Sequence, residues 1–292
     1  MLSSDKNPII GAMQTSKRPR AATRRLVVLA AVLVLTGWLL NTPSGLLGKF
    51  DSIGYAVCHR IEARSFHVGE RALPLCARCS GMYLGAMAGL VYQVFTVKKR
   101  GGLPHWSVIT ILTLFVVAFG IDGANSYLFL IKETYAGALP EIANLYVPNN
   151  TLRLLTGSGM GLALAAFVYP AFNSTVWADL DEQPNIPGLK TFMPYLGMIA
   201  LLDLLVLAEN PIVLYPLAIV SAAGVPVLLT MVYSLVWITI MGQDNQFTSL
   251  RQLWLPLVAG FTLALLQIAA IDALRYFLTG TWGAFPIPIV GS

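Results

Sequence analysis

The sequence of 292 residues is 56% hydrophobic and only 11% charged, with a mean hydropathy of +0.69. Soluble globular domains carry about 25% charged residues, so this composition excludes a water-soluble domain and predicts helices that cross the ~30 Å hydrocarbon core of a membrane. The net charge of +5 does not indicate nucleic-acid binding, because the basic residues flank apolar segments instead of covering a soluble surface.

The N-terminal part of the chain predicts a cytoplasmic tail and a first span. Residues 1–24 are polar and basic, and we expect them to be disordered. The apolar run Leu26–Leu40 follows basic residues, as the core of a signal peptide does, but no small-residue cleavage site follows it. The run can extend through Leu46 and Leu47 to spanning length, so we expect a retained first span.

Six further apolar segments bring the prediction to about seven spans in an all-α bundle. They cover about Ser80–Val97, Trp106–Leu130, Leu152–Phe172, Met193–Leu207, Ile212–Ile240 and Leu253–Leu278. A first membrane domain (25–172), with a polar loop at 48–79, is followed by a three-helix extension (173–292). The sixth span is long enough to tilt, or to break near Pro226.

Lysine and arginine residues in short loops predict the orientation. One basic cluster precedes the first span and another, Lys98–Arg100, follows the second. Both lie inside if the N-terminus is cytoplasmic, which places the loop 48–79 on the outer face of the cell membrane. The arginines of that loop conflict with the rule that basic residues of short loops lie on the cytoplasmic side, unless they take part in a binding site.

The stretch from Cys58 to Gly85 is the most densely polar part of the chain. It contains all three cysteines, two of the three histidines and four arginines: Cys58, Cys76, Cys79, His59, His67, Arg60, Arg64, Arg71 and Arg78. With CH at 58–59, PLCARCSGMYLG at 74–85, DG at 122–123 and NTLRLLTG at 150–157, the chain resembles a bacterial and archaeal family of predicted membrane proteins, domain of unknown function family 2085. The resemblance covers about residues 50–170 and implies a membrane protein without implying an activity.

The cysteines have three interpretations. Three thiolates and an imidazole are a common tetrahedral set for Zn²⁺, with iron as the alternative metal. The ligand candidates are Cys58, Cys76, Cys79 and His59, with His67 as a second choice. A C-x-x-C at a helix N-terminus also suits a redox-active pair, and a structural disulfide is the third interpretation.

The arginines predict a cradle for an anion, because their forked donors match phosphate or carboxylate. The substrate-binding candidates are Arg64, Ser65, Arg78, Arg153 and Asn125. A lipid phosphate is the anion expected at this depth. The alternative is that the arginines pair with Glu62, Glu70 and anionic lipid.

Acids inside predicted spans are costly unless they are paired or hydrated. Asp122 can pair with Arg153, accept a proton or bind a metal, so Asp122 and His59 are the catalytic candidates. Asp272 and Arg275 lie three residues apart and predict a local pair, whereas Asp203 has no partner in the sequence.

The glycine-rich run Gly157–Gly161 predicts close helix packing rather than a binding loop.

Three functions are compatible with these residues. The first is a metalloenzyme that acts on a lipid or another anionic substrate. The second is a transporter of an anionic or amphipathic solute, with Asp122, Arg153, Asp203 and Asp272 along its path. The third is a thiol oxidoreductase with a quinone partner. We find no phosphate-binding loop or nucleophile elbow in the sequence.

Overall fold

The computed structural model describes residues 21–135, 139 and 141–283. Its α-helices are α1 Ala21–Asn41, α2 Leu46–Val57, α3 Ala77–Thr96, α4 Trp106–Thr134, α5 Asn150–Val176, α6 Leu189–Leu207, α7 Pro211–Ile240 and α8 Trp254–Thr279. Its strands are β1 His67–Val68, β2 Arg71–Ala72, β3 Arg100–Gly102 and β4 Asp181–Pro184. The tail that we predict at 1–24 lies almost entirely outside the described residues.

Helices dominate the described residues, which confirms an all-α, multi-pass membrane protein. Six helical segments are long and apolar enough to cross a membrane: α1, α4, α5, α6, α7, and α8 together with the 3-10 turn before it. The prediction of about seven spans therefore exceeds the number that meet both criteria by one.

The difference is α3, which has 20 residues and is therefore about 30 Å long. Its N-terminus carries two cysteines, and its C-terminus leads into β3, which pairs in parallel with β4 at the other end of the bundle. It thus runs through the bundle between α5, α7 and α6. Because neighbouring helices shield it from lipid, α3 can carry polar residues such as Arg78 and the fully buried Gln93.

The first span ends earlier than we predict. α1 stops at Asn41, and after Pro43 the chain turns into α2, so Leu46 and Leu47 begin a separate 12-residue helix. Lys49 fixes this turn, because its ammonium donates to the carbonyl oxygens of Leu39 and Thr42. The first part of the predicted polar loop is consequently helical.

The long helix α7 is continuous. It contains Pro226 and extends without interruption over 30 residues, so the break that we considered near this proline is absent.

The closest helix pair in the bundle is α3 with α5. A Cβ atom at Gly157 would fall on the carbonyl oxygen of Arg78, and one at Gly161 would fall on that of Met82. The glycine run therefore lets two backbones touch, as the sequence predicts.

Replacing Gly161 with valine should destabilise the protein strongly. The valine side chain cannot fit against the backbone of α3, and overpacking of this kind costs about 1–3 kcal/mol or more. Thermal unfolding in detergent measures the loss. Gly197→Val in α6 is the matched control, because a Cβ there meets open space. Equal melting temperatures for the two variants would contradict the packing.

The two ends of the bundle differ in chemistry. At the end that carries β3 and β4, Lys99 pairs with Asp179 at 2.7 Å and Arg100 with Asp181 at 3.3 Å. The opposite end, here called the cysteine end, carries α2, the β1–β2 hairpin and the cysteines. The outward orientation of the cysteine end and the cytoplasmic N-terminus stay predictions.

Candidate metal and anion site

The three cysteines come together where α2 ends and α3 begins. Cys58 is the C-cap residue of α2 and Cys76 the N-cap residue of α3, so Cys79 lies in the first turn of α3. The three sulfur atoms lie within 4.8 Å of one another. In the part of the chain that the structure describes, this is the one such group of three or more potential metal ligands. All three are free cysteines, and the choice among metal ligands, redox-active thiols and inert cysteines stays open.

Cys58 is brought to α3 by contacts that are distant in sequence. Arg275 of α8 donates to the carbonyl oxygen of Cys58 at 2.6 Å and thereby holds the end of α2. The Cys58 sulfur accepts the backbone N–H groups of Arg60 and Cys76, each at 3.4 Å. The sequence suggests only a local pair between Arg275 and Asp272, so this role of Arg275 is missed.

The electrostatics single out Cys58 as the thiol that ionises first. The thiols of Cys76 and Cys79 donate to its sulfur, and these hydrogen bonds hold the pKa of Cys58 well below its usual value despite burial. The pKa of Cys76 is raised in turn, mainly because its thiol donates to Cys58. A thiolate flanked by donors and the N-terminus of a helix is the form that binds metals and attacks disulfides.

The two histidines His59 and His67 lie outside the group of three converging sulfur atoms. His59 lines the cavity beside the cysteines, whereas His67 lies 3.9 Å from Glu62. The assignments of His59 as fourth ligand and as catalytic residue both stay predictions.

A cavity of about 260 Å³ adjoins the three cysteines. Its wall includes the side chains of Arg60, Arg64, Arg78 and Arg153, which come from the loop, α3 and α5. The structure thus places Arg64, Arg78 and Arg153, three of the five predicted substrate-binding residues, around one space.

Two arginines of the predicted cradle serve mainly to fold the loop. Arg60 pairs with Asp51 of α2 at 2.9 Å, and Arg71 pairs with the other oxygen of the same carboxylate. The partner is Asp51, not Glu62 or Glu70 as the alternative interpretation of the sequence proposes.

Arg78 is held by Asp122 of α4. The guanidinium donates from Nε at 3.0 Å and from Nη2 to the same carboxylate oxygen, and Nη2 also reaches the Ser126 hydroxyl at 2.9 Å. The hydroxyl of Tyr146 donates to the other oxygen of Asp122 at 2.8 Å. Burial, followed by this hydrogen bond, raises the pKa of Tyr146 to about 12. Asp122 is only 1% exposed, and its partner is Arg78 rather than Arg153.

Because its oxygens are engaged, Asp122 positions Arg78, and it lies outside the group of metal-ligand atoms. Its role as a proton acceptor stays a prediction.

Arg153 is the least satisfied charge of the site. It is 6% exposed and donates from Nη1 to Asn150 at 2.9 Å, but its Nε has no hydrogen-bond partner among the described residues. The guanidinium of Arg64 lies 4.0 Å from the carboxylate of Glu133. Arg64 and Arg78 line the same cavity as Arg153. Burying several like charges this way is costly unless an anion compensates them.

Ser65 and Asn125 lie near the cavity without lining it. The Ser65 hydroxyl donates to the carbonyl oxygen of Ile61 at 3.0 Å. Asn125 accepts the N–H of Leu145 at 2.9 Å and donates to the carbonyl oxygen of Tyr146 at 3.0 Å. Asn125 therefore fixes the loop that brings Tyr146 to Asp122, a contact that the sequence does not indicate.

The remaining intramembrane acids lie away from this cavity. Asp203 accepts a hydrogen bond from Ser158 at 2.6 Å, and Asp272 accepts one from the Trp38 indole at 3.3 Å. The first contact joins α6 to α5 and the second joins α8 to α1. The transport path that the sequence suggests along Asp122, Arg153, Asp203 and Asp272 stays a prediction.

Comparison with known proteins places the cysteines and arginines inside a recognised family segment. The model of the family described as "Predicted membrane protein (DUF2085)" matches residues 58–167, which confirms the resemblance over this segment. An uncharacterized protein of Methanocaldococcus jannaschii is 28% identical over 137 residues, which are 44% of this chain and 75% of the relative. An uncharacterized protein of Methanothermobacter thermautotrophicus is 28% identical over 109 residues, which are 37% of this chain and 81% of the relative. No solved structure matches this chain.

Both relatives are archaeal and carry no assigned activity, so function has to be argued from the site.

Proposed function

We propose that this membrane protein binds the phosphate or carboxylate group of an anionic substrate in the arginine-lined cavity, next to a metal ion held by Cys58, Cys76 and Cys79. The observation that carries the proposal is the convergence of Arg64, Arg78 and Arg153 on the wall of a cavity that the cysteines also line. Arg78 is paired with the buried carboxylate of Asp122, and Arg64 lies 4.0 Å from Glu133. Arg153 has no salt bridge among the described residues, so the cavity favours an anion.

The metal part of the proposal is supported by the sulfur positions. Zinc binds thiolates at about 2.3 Å in a tetrahedron, so sulfur atoms within 4.8 Å of one another are suitably close. With three protein ligands, a fourth position is available to water or substrate, as in catalytic rather than structural zinc sites. Bound zinc would supply a Lewis acid and an activated water. Iron is the alternative metal.

The residues beside the proposed metal site would have separate roles. Arg78, fixed by Asp122, and Arg153 would orient the anion. His59 lines the same cavity and is the candidate for proton transfer. Together these roles describe a metal-dependent enzyme that acts on an anionic, membrane-associated substrate.

Arg153→Gln should weaken phosphate binding by about 10- to 100-fold, because hydrogen bonds to charged groups contribute about 1.5–3 kcal/mol. Calorimetric titration of inorganic phosphate into the full chain in neutral detergent measures this. Arg251→Gln, at an exposed arginine of the opposite end, is the control and should bind as wild type does. Absence of phosphate binding in the wild type, or equal affinity in Arg153→Gln, would refute anion binding.

A second function is favoured by one specific observation. The ionised form of Cys58 is stabilised by two neighbouring thiols, as in thiol–disulfide exchange proteins. Thiol oxidoreductase activity therefore remains the rival proposal. It predicts reversible loss of two thiols on oxidation in a protein that binds no metal.

A further inference from the structure

The arginine-lined cavity has one wall of a different kind, formed by α4. Gly123, Tyr127 and Leu130 line it, and their spacing of four and three residues places them on one face of the helix. Tyr127 is 66% exposed. A Cβ atom at Gly123 would meet open space, so no side chain of the described residues packs against α4 at this point.

The same face of α4 continues away from the cavity into an exposed apolar surface. Gly120 lies one turn before Gly123 and also has open space at its Cβ position. Val116, which is exposed, lies one turn before Gly120. α4 packs mainly on α5, which leaves this face towards lipid. An apolar chain lying along Val116, Gly120 and Gly123 would lead directly to the cavity.

The size of the cavity limits what it can hold. Its volume of about 260 Å³ lies below the ~300–1,000 Å³ of pockets that enclose drug-sized ligands. A phosphate group with a small attached headgroup fits, whereas an acyl or isoprenoid chain has to remain outside. The open side at Gly123 is where such a chain can leave the cavity.

We infer that the anionic ligand is a phosphate attached to a lipid, which enters sideways from the bilayer between the cysteine-bearing loop and α4, with its tail on the exposed face of α4. This inference rests on the proposed function and adds the substrate class and the entry route. The arginines bind the phosphate, and the tail position explains why the charged cavity opens beside apolar residues rather than only towards water.

The test compares a lipid phosphate with soluble phosphates on wild type and Gly123→Leu. The probes are dioctanoyl phosphatidic acid, glycerol 3-phosphate and inorganic phosphate, titrated into the full chain in neutral detergent. Wild type should bind phosphatidic acid at least about tenfold more tightly than glycerol 3-phosphate. Gly123→Leu should lose about tenfold in affinity for phosphatidic acid and keep its affinity for inorganic phosphate.

Gly197→Leu is the matched control, since that glycine also lies in a helix with open space at its Cβ position, but on α6 and away from the cavity. It should bind all three probes as wild type does. Equal affinity for phosphatidic acid and glycerol 3-phosphate in wild type would overturn the lipid-linked substrate. An equal loss for every probe in Gly123→Leu, or no loss for any, would overturn the entry route. If wild type binds none of the probes, the proposed function itself fails.

Discussion

Replacing Cys58 with serine should remove one metal ion per chain from the purified protein. A serine hydroxyl is not a soft ligand and does not ionise near neutral pH, so the remaining two thiols cannot hold zinc at comparable affinity. Cys76→Ser should have the same effect, because all three sulfur atoms belong to one group within 4.8 Å. Elemental analysis of tag-free protein, expressed with zinc and iron present, gives the stoichiometry and the identity of the metal.

The histidines provide the controls for this experiment. His67→Ala should keep the metal, since His67 lies outside the ligand group and beside Glu62. His59→Ala should also keep it if the fourth position is open to substrate. Loss of metal in His59→Ala would instead indicate a closed, structural site of four ligands. A metal-free wild type with full thermal stability, and with its thiols oxidised, would reject the metal site and favour the thiol oxidoreductase.

The sequence predicts the parts of this site that are local. A C-x-x-C at a helix start places Cys76 and Cys79 one turn apart, and the structure keeps this arrangement. The glycine run Gly157–Gly161 predicts a close helix contact because small residues have few other uses at membrane depth. In both cases the information lies within a few residues of chain.

The partners of the charged residues could not be predicted in this way. The sequence suggests Arg153 as the partner of Asp122, whereas the structure pairs Asp122 with Arg78. The choice depends on how α3, α4 and α5 are placed around one another. Tyr146 reaches Asp122 only because Asn125 fixes its loop. These contacts join residues at least twenty positions apart, and no periodic pattern records them.

The helical boundaries show the same limit. An apolar run that continues past Pro43 looks like one long span, yet the proline and the contacts of Lys49 turn it into two helices. α3 does not meet the hydropathy criterion because much of it consists of glycine, alanine and polar residues such as Arg78 and Gln93, which its position inside the bundle allows. Hydropathy reports contact with lipid, so a helix at the centre of a bundle is the one that it describes least well.

Breaking the pair between Asp122 and Arg78 should have the second large effect, this time on stability. Removing one partner of a buried ion pair costs about 3–5 kcal/mol, because the other charge remains buried without compensation. Asp122→Asn and Arg78→Gln should therefore each lower the free energy of unfolding substantially. The double variant should lose clearly less than the sum of the two, with a coupling of roughly 1–3 kcal/mol. Unfolding titrations in mixed micelles give the free energy of unfolding of wild type, of each single variant and of the double variant, which together form a double-mutant cycle.

The same cycle separates a positioning role of Asp122 from a merely structural one. Asp122→Asn removes the carboxylate that fixes the Arg78 guanidinium, so the folded fraction should bind inorganic phosphate more weakly, by roughly two- to tenfold. Arg78→Gln should bind it more weakly. Additive stability losses would show that the two residues do not act as a pair. Unchanged phosphate affinity in both variants would show that Arg78 does not bind the anion and would leave Arg64 and Arg153 to hold it.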